Sequence, residues 1–130
     1  MNHKPMLNAY PDSLGGNLGD IVTLLKTEAM QDVFSSFYIL PSLYHSDLDR
    51  GFSVIDYDLN EQLANREDLD QLKNMGIDLK LDFILNHASA QSPQFQDLVE
   101  KGEASAYRDF FIDWNRFWDC LLYTSDAADD

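Results

Sequence analysis

An α/β fold on a parallel sheet, closing toward a barrel, is predicted from three observations. Strand-like and helix-like stretches alternate along the 130 residues in the order β-α-β-(long loop)-α-β-α, the pattern of right-handed crossovers between parallel strands. The third strand-like stretch is apolar on one face only. That same stretch, LKLDFILNHAS, ends in the polar pair Asn86-His87.

The elements follow in order. Residues 5–10, PMLNAY, read as a short strand, and Pro11, Gly15 and Gly16 mark the loop after it. Asn17 is the expected N-cap of a helix whose apolar residues Leu18, Ile21, Val22, Leu25 and Ala29 recur at helical spacing. Residues 36–40, SFYIL, are aromatic and β-branched and stop at Pro41, which makes a second strand. From about Pro41 to Ala64 the pattern predicts a long irregular loop. Its aromatic and aliphatic content (Tyr44, Phe52, Val54, Ile55, Tyr57) argues for order and for function. Asn65 caps the second helix, with Asp68 at N3 and Leu69, Leu72 and Met75 on one face. Gly76 ends it in a left-handed C-cap. The third strand runs from Ile77 to about Asn86, and residues 91–100 and 105–118 are expected to be helical.

The third strand decides between two kinds of parallel sheet. Ile77, Leu79, Leu81, Phe83 and Leu85 share one face, while Asp78, Lys80, Asp82, Ile84 and Asn86 share the other. An open doubly wound sheet is covered by helices on both faces and needs both apolar. A closed parallel barrel packs its outer face on helices and holds polar groups inside, near the C-terminal ends of the strands, where barrel sites lie. Asp82, Asn86 and His87 fall at that end. Taken alone, Asp-x-x-x-Asn-His has a second reading, a satisfied buried histidine beside a turn asparagine.

Composition excludes several function classes. Nine basic residues face 23 acidic ones, a formal charge of −14. A nucleic-acid partner is not expected, because phosphate binding needs a basic surface, and an anionic membrane is disfavoured for the same reason. There is no apolar run long enough to span a bilayer and no signal-peptide stretch at the N-terminus. With one cysteine in the chain, these features point to the cytoplasm. The final segment, CLLYTSDAADD, holds that cysteine and three of the acids. It has no helical period and resembles the translation of a transposase adapter. Residues 120–130 are therefore expected to be a non-native tail, residues 1–119 the true domain, and the natural protein to continue past Asp119.

Four stretches, in order, resemble one family. They are PMLNAYPDSLGGNL, FYILPSLYHSDLDRGFSVIDY, LKLDFILNHASAQSPQFQD and YRDFFIDWNRFW. Asp-Arg-Gly-Phe at its distance before Asp-x-x-x-Asn-His is the specific combination. The chain resembles the N-terminal part of a glycoside hydrolase family 13 barrel, of the alpha-amylase superfamily, and within it the sucrose phosphorylase-like branch. The likeness covers about residues 5–118. It implies the first three or so βα units of a TIM (β/α)8 barrel, incomplete, since such a barrel needs roughly 250 residues to close.

The resemblance also implies a glucose subsite. Asp49 would accept hydrogen bonds from a glucosyl hydroxyl, Phe52 would stack on the sugar's apolar face, and His87 would donate to another hydroxyl. Asp82 and Asn86 would shape the pocket wall. These types suit a sugar, because a carboxylate accepts hydroxyl protons, an imidazole donates one, and an aromatic ring covers C–H groups. The substrates implied are a small-molecule α-glucoside and inorganic phosphate, with no metal and no cofactor. The catalytic nucleophile and acid/base would lie on later strands, beyond the chain end. The isolated chain is thus expected to be inactive, poorly stable and prone to associate through its raw sheet edge.

The sequence departs from the family pattern at two places. DLNEQLANRED lacks the usual Val-Asp-x-x-Phe-Gly-like turn, and Leu43-Tyr44-His45 stands where Phe-Pro-Ser is usual. These loops face the acceptor side, so fructose, a phosphorylated sugar, glycerol and glycerate all stay open as acceptors. Two alternatives stand beside this reading: a hydrolytic amylase relative, and a non-catalytic small α/β binding domain.

Overall fold

The computed structural model describes residues 4–41, 43–47 and 50–118. The chain divides into two compact units, Met1–Ser89 and Ala90–Asp130. The first holds a parallel sheet of β1 (Met6–Ala9), β2 (Ser36–Ile39) and β5 (Asp78–Leu81), in spatial order β1-β2-β5. Helices α1 (Leu18–Leu25) and α2 (Arg66–Asn74) form the crossovers. A separate antiparallel pair, β3 (Tyr44–Asp47) and β4 (Ser53–Leu59), lies between β2 and α2 in the sequence.

Local chemistry sets the start of α1 and both ends of α2 as the sequence predicts. Asn17 caps α1 by accepting from the Asp20 amide at 3.2 Å. Asn65 and Asp68 form a reciprocal capping box on α2, with bonds of 2.9 and 3.0 Å. At its other end Gly76 adopts φ +74°. The Gly76 amide donates to the Lys73 carbonyl and the Ile77 amide to the Leu72 carbonyl, the paired bonds of a Schellman motif. Helix α1 is shorter than expected. Thr27 turns its hydroxyl onto the Leu24 carbonyl, and Ala29 is exposed beyond the helix.

The register separates the two sheet faces. Leu7, Phe37 and Leu79 align across the three strands, as do Ala9, Ile39 and Leu81. Phe37 and Ile39 are fully buried in a core with Leu18, Ile21, Leu25 and Leu72 from the two helices. The intervening row, Asn8, Tyr38 and Lys80, lies on the other face. The one-sided apolar pattern of the third strand is therefore shared by β2, and by β1 except at the exposed Met6, which aligns with Ser36 and Asp78.

Three expectations are corrected. The stretch from Pro41 to Ala64 is not irregular throughout, because it contains the β3–β4 antiparallel pair; Val54, Ile55 and Tyr57 supply the β-branched and aromatic content of β4. The third strand ends at Leu81 rather than Asn86. Its last partner is Ile39, and Pro41, two residues on, has no amide to extend the ladder. The expected helix over 105–118 is broken. A 3-10 turn covers Arg108–Phe110, and residues 114–118 start a new helical turn, with the Asp113 carboxylate accepting from the Asn115 amide.

In the second unit, α3 (Pro93–Lys101) starts on Ser92, with Pro93 in its first turn, and ends at Gly102, φ +54°. Asp97 accepts from Lys101 and from the Ser105 hydroxyl, and both bonds hold its carboxyl below the ordinary 3.8. Phe95, Phe110 and Phe111 meet edge to face. No helix among the described residues is long and apolar enough to cross a membrane. The expected tail, 120–130, lies outside the described residues.

Candidate functional site

The polar sheet face carries a small network at its C-terminal end. The Tyr38 hydroxyl donates to Asp82 Oδ2 at 2.6 Å, and Lys80 Nζ sits 4.0 Å from the centre of the Tyr38 ring. The phenol is pushed above its ordinary 10.0, first by the hydrogen bond to Asp82, then by burial and by the Asp82 charge. Asp82, anticipated as a pocket-shaping residue, is thus tied to a neighbouring strand.

Beyond Leu81 the chain leaves the ladder and runs along the hairpin. The Ser89 amide donates to the Val54 carbonyl at 2.8 Å. The buried Ser89 hydroxyl donates to Asp47, and the Tyr57 hydroxyl to the Ile84 carbonyl. The Asp47 carboxyl is held below 3.8 by hydrogen bonds from Ser53 and Ser89, against a smaller opposing effect of burial. Phe83 packs with its ring centre 4.6 Å from that of Tyr57 and 6.3 Å from that of Tyr44. Side chains therefore continue what the sheet stops, and they bring the hairpin to the segment that ends in Asn86-His87.

His87 and Asn86 are both exposed. Imidazole Nδ1 lies 2.9 Å from Asn86 Oδ1. That oxygen only accepts, so Nδ1 carries the proton. Nε2 is left to accept a hydroxyl proton in the neutral ring and to donate one in the imidazolium.

Phe52 stands at the hairpin turn, 45% exposed. Asp49, the anticipated sugar-binding carboxylate, lies outside the described residues. Arg50 has φ +48°, a left-handed conformation that non-glycine residues rarely adopt. Its guanidinium pairs with Asp12 and lies 4.1 Å from the centre of the Tyr10 ring. Both partners follow β1.

Sequence reasoning gave no role to Arg50, Asp12, Tyr10, Ser89 or Tyr38. The motif Asp-Arg-Gly-Phe was visible in the sequence, but the left-handed Arg50 and its partners are seen only in the structure. His45 pairs with Asp56, Nδ1 to Oδ1, at 2.7 Å. An open depression of about 530 Å³ beside it is lined by His45, Asp58, Leu59, Asn60, Glu61 and Gln62. None of the anticipated site residues that are described lines it. Among the described residues no group of His, Cys, Asp and Glu is placed to hold a metal ion.

The chain has recognisable relatives among known proteins. The family described as alpha amylase, catalytic domain, matches residues 9–119. A sucrose 6(F)-phosphate phosphorylase of Ilumatobacter coccineus is 58% identical over 90% of this chain and 22% of its own length. A sucrose phosphorylase of Streptococcus mutans is 40% identical over 89% of this chain and 24% of its own. The crystal structure of sucrose 6F-phosphate phosphorylase from Thermoanaerobacter thermosaccharolyticum superposes with a TM-score of 0.76 at 37% identity, over 84% of this chain and 22% of that one. The chain thus spans less than a quarter of the length of these relatives.

Proposed function

The chain belongs to the alpha-amylase catalytic-domain family, and on that premise we propose that it forms the first three βα units of the (β/α)8 barrel of a phosphorylase. The reaction is retaining α-glucosyl transfer from sucrose, or from sucrose phosphorylated on its fructosyl unit, to inorganic phosphate. The 58% identity to a sucrose 6(F)-phosphate phosphorylase favours the phosphorylated substrate. One structural observation carries the reading: the hairpin that presents Phe52 is stitched, through Ser89 and Tyr57, to the strand exit that presents Asn86-His87. A loop anchored at the C-terminal end of parallel strands is where a barrel holds its substrate.

In this reading Phe52 covers the apolar face of the glucosyl ring, and Asp49 accepts its hydroxyl protons. His87 exchanges a hydrogen bond with another hydroxyl through Nε2. Asp82, held by Tyr38, and Asn86, held against His87, shape the wall. Bonds to sugar hydroxyls that tighten as the oxocarbenium develops lower the barrier. Two carboxyl groups roughly 5 Å apart complete the chemistry, and both lie on strands beyond this chain. One attacks the anomeric carbon as the other protonates the departing fructosyl oxygen. Phosphate oxygen then displaces the first, and the glucose leaves as its 1-phosphate with the configuration retained. No cofactor takes part, and the cytoplasm, where inorganic phosphate is plentiful, suits the reaction.

The test uses the full-length gene product with sucrose, and separately with its 6F-phosphate, each with and without inorganic phosphate. Phosphate-dependent formation of α-glucose 1-phosphate is expected. Glucose release that ignores phosphate would identify a hydrolase instead. No turnover of any α-glucoside, with intact folding, would leave a binding domain.

A further inference from the structure

We propose that Arg50 is a positioning residue, which fixes the hairpin turn to the exit of β1 and thereby sets the pose of Phe52. The proposal rests on the sugar-binding reading of Phe52 given above. Three observations converge on it. The Arg50 backbone is left-handed, at φ +48°, a conformation that persists only where surroundings impose it. Its guanidinium is engaged twice, by the Asp12 carboxylate and by the face of Tyr10, 4.1 Å away, so both its charge and its planar face are used. Both anchors lie within three residues of the end of β1, at Ala9, while Phe52 is two residues further along the turn and 45% exposed.

Stability alone does not explain this arrangement. Arg50 and Asp12 are both well exposed, with side-chain exposures of 56% and 41%, and ion pairs of that kind add little to folding. What the pair does supply is a geometric reference. A turn at the tip of a two-stranded hairpin has few neighbours to define its position. The Arg50 side chain ties it to the sheet that carries the remaining wall of the pocket. An ordered aromatic face binds a sugar without first losing conformational freedom, so the effect is expected in ligand affinity rather than in melting temperature.

The experiment is a coupling measurement in the full-length protein. KM and kcat for the glucoside are measured for Arg50→Gln, Arg50→Lys, Asp12→Asn and Phe52→Ala, and for Arg50→Gln and Asp12→Asn each combined with Phe52→Ala. Thermal melts check folding, and amide exchange follows the turn. Expected are a several-fold rise in KM for Arg50→Gln and Asp12→Asn with kcat nearly unchanged, a smaller rise for Arg50→Lys, and faster exchange at Phe52 and Ser53. In the Phe52→Ala background the Arg50 and Asp12 changes should add almost nothing. Full additivity in that background, or unchanged exchange, overturns the proposal. If Phe52→Ala leaves KM unchanged, the sugar-binding reading falls, and the exchange data alone judge the latch. If Arg50→Gln lowers the melting temperature by as much as a core truncation does, the residue is structural and the proposal fails.

Discussion

The two faces of the β1-β2-β5 sheet are built from alternate residues of the same strands, yet they are held by different physics. On the helix-covered face, Phe37 and Ile39 are wholly buried against α1 and α2. Burial of this kind is non-directional, so many apolar residues of similar size would serve. On the opposite face and at the strand exits, Tyr38–Asp82, Ser89–Asp47 and Tyr57–Ile84 are individual hydrogen bonds with fixed partners. Few other side chains would replace them. The first face makes the fold, and the second aims the hairpin.

The comparison can be broken from the apolar side first. Phe37→Ala should cost about 3–5 kcal/mol, as a fully buried aromatic truncated in a packed core. Denaturant unfolding followed by amide exchange in β2 would measure it, and a cost under about 1 kcal/mol would contradict the packing described. Gly76→Ala tests the crossover that brings β5 alongside β2. An alanine forced to φ +74° should cost about 1–2 kcal/mol, read in the same way.

The polar side responds more locally. Ser89→Ala removes the hydroxyl from Asp47 and should speed exchange in β4 while β2 is unaffected. Equal acceleration in both would show that hairpin and sheet open together. Acid should act at the same place. Asp47 is held below its ordinary 3.8, so its contribution is complete above that value and is lost as pH falls through the lower, folded pKa. A carbon-detected NMR titration of Asp47, compared with its titration in Ser89→Ala, checks the direction. The smallest effect belongs to Tyr38. Its phenol is raised above 10.0 by Asp82, so its contribution is complete below 10.0 and fades as pH rises through the higher, folded pKa. In an ultraviolet titration, Asp82→Asn should bring the Tyr38 ionisation back toward 10.0.

The sequence disclosed these two faces unequally. Caps and apolar periods act over a few residues, so Asn17, the Asn65–Asp68 box, Gly76 and the parity of residues 77–81 were all readable in advance. Ladder length was not, because β5 ends where β2 runs out of partners at Ile39, and β2 lies about forty residues earlier in the chain. The hairpin was masked by Asp56 and Asp58, whose charges interrupt the β pattern of residues 53–59. At the candidate site, the residues proposed to bind the sugar entered through a family resemblance carried by Asp-Arg-Gly-Phe and Asp-x-x-x-Asn-His. Their supports did not, because Arg50 reaches Asp12 across 38 positions and Ser89 reaches Asp47 across 42. No short pattern can encode contacts over such spans.

The missing amide of Pro41 has one further consequence. Because the ladder stops short of it, residues 82–89 are held, besides the one Ser89–Val54 backbone bond, by hydroxyls and rings that single substitutions can delete. The backbone ladder below them cannot be deleted that way. Substitution can therefore reshape the strand exit one side chain at a time, while the sheet beneath keeps its register.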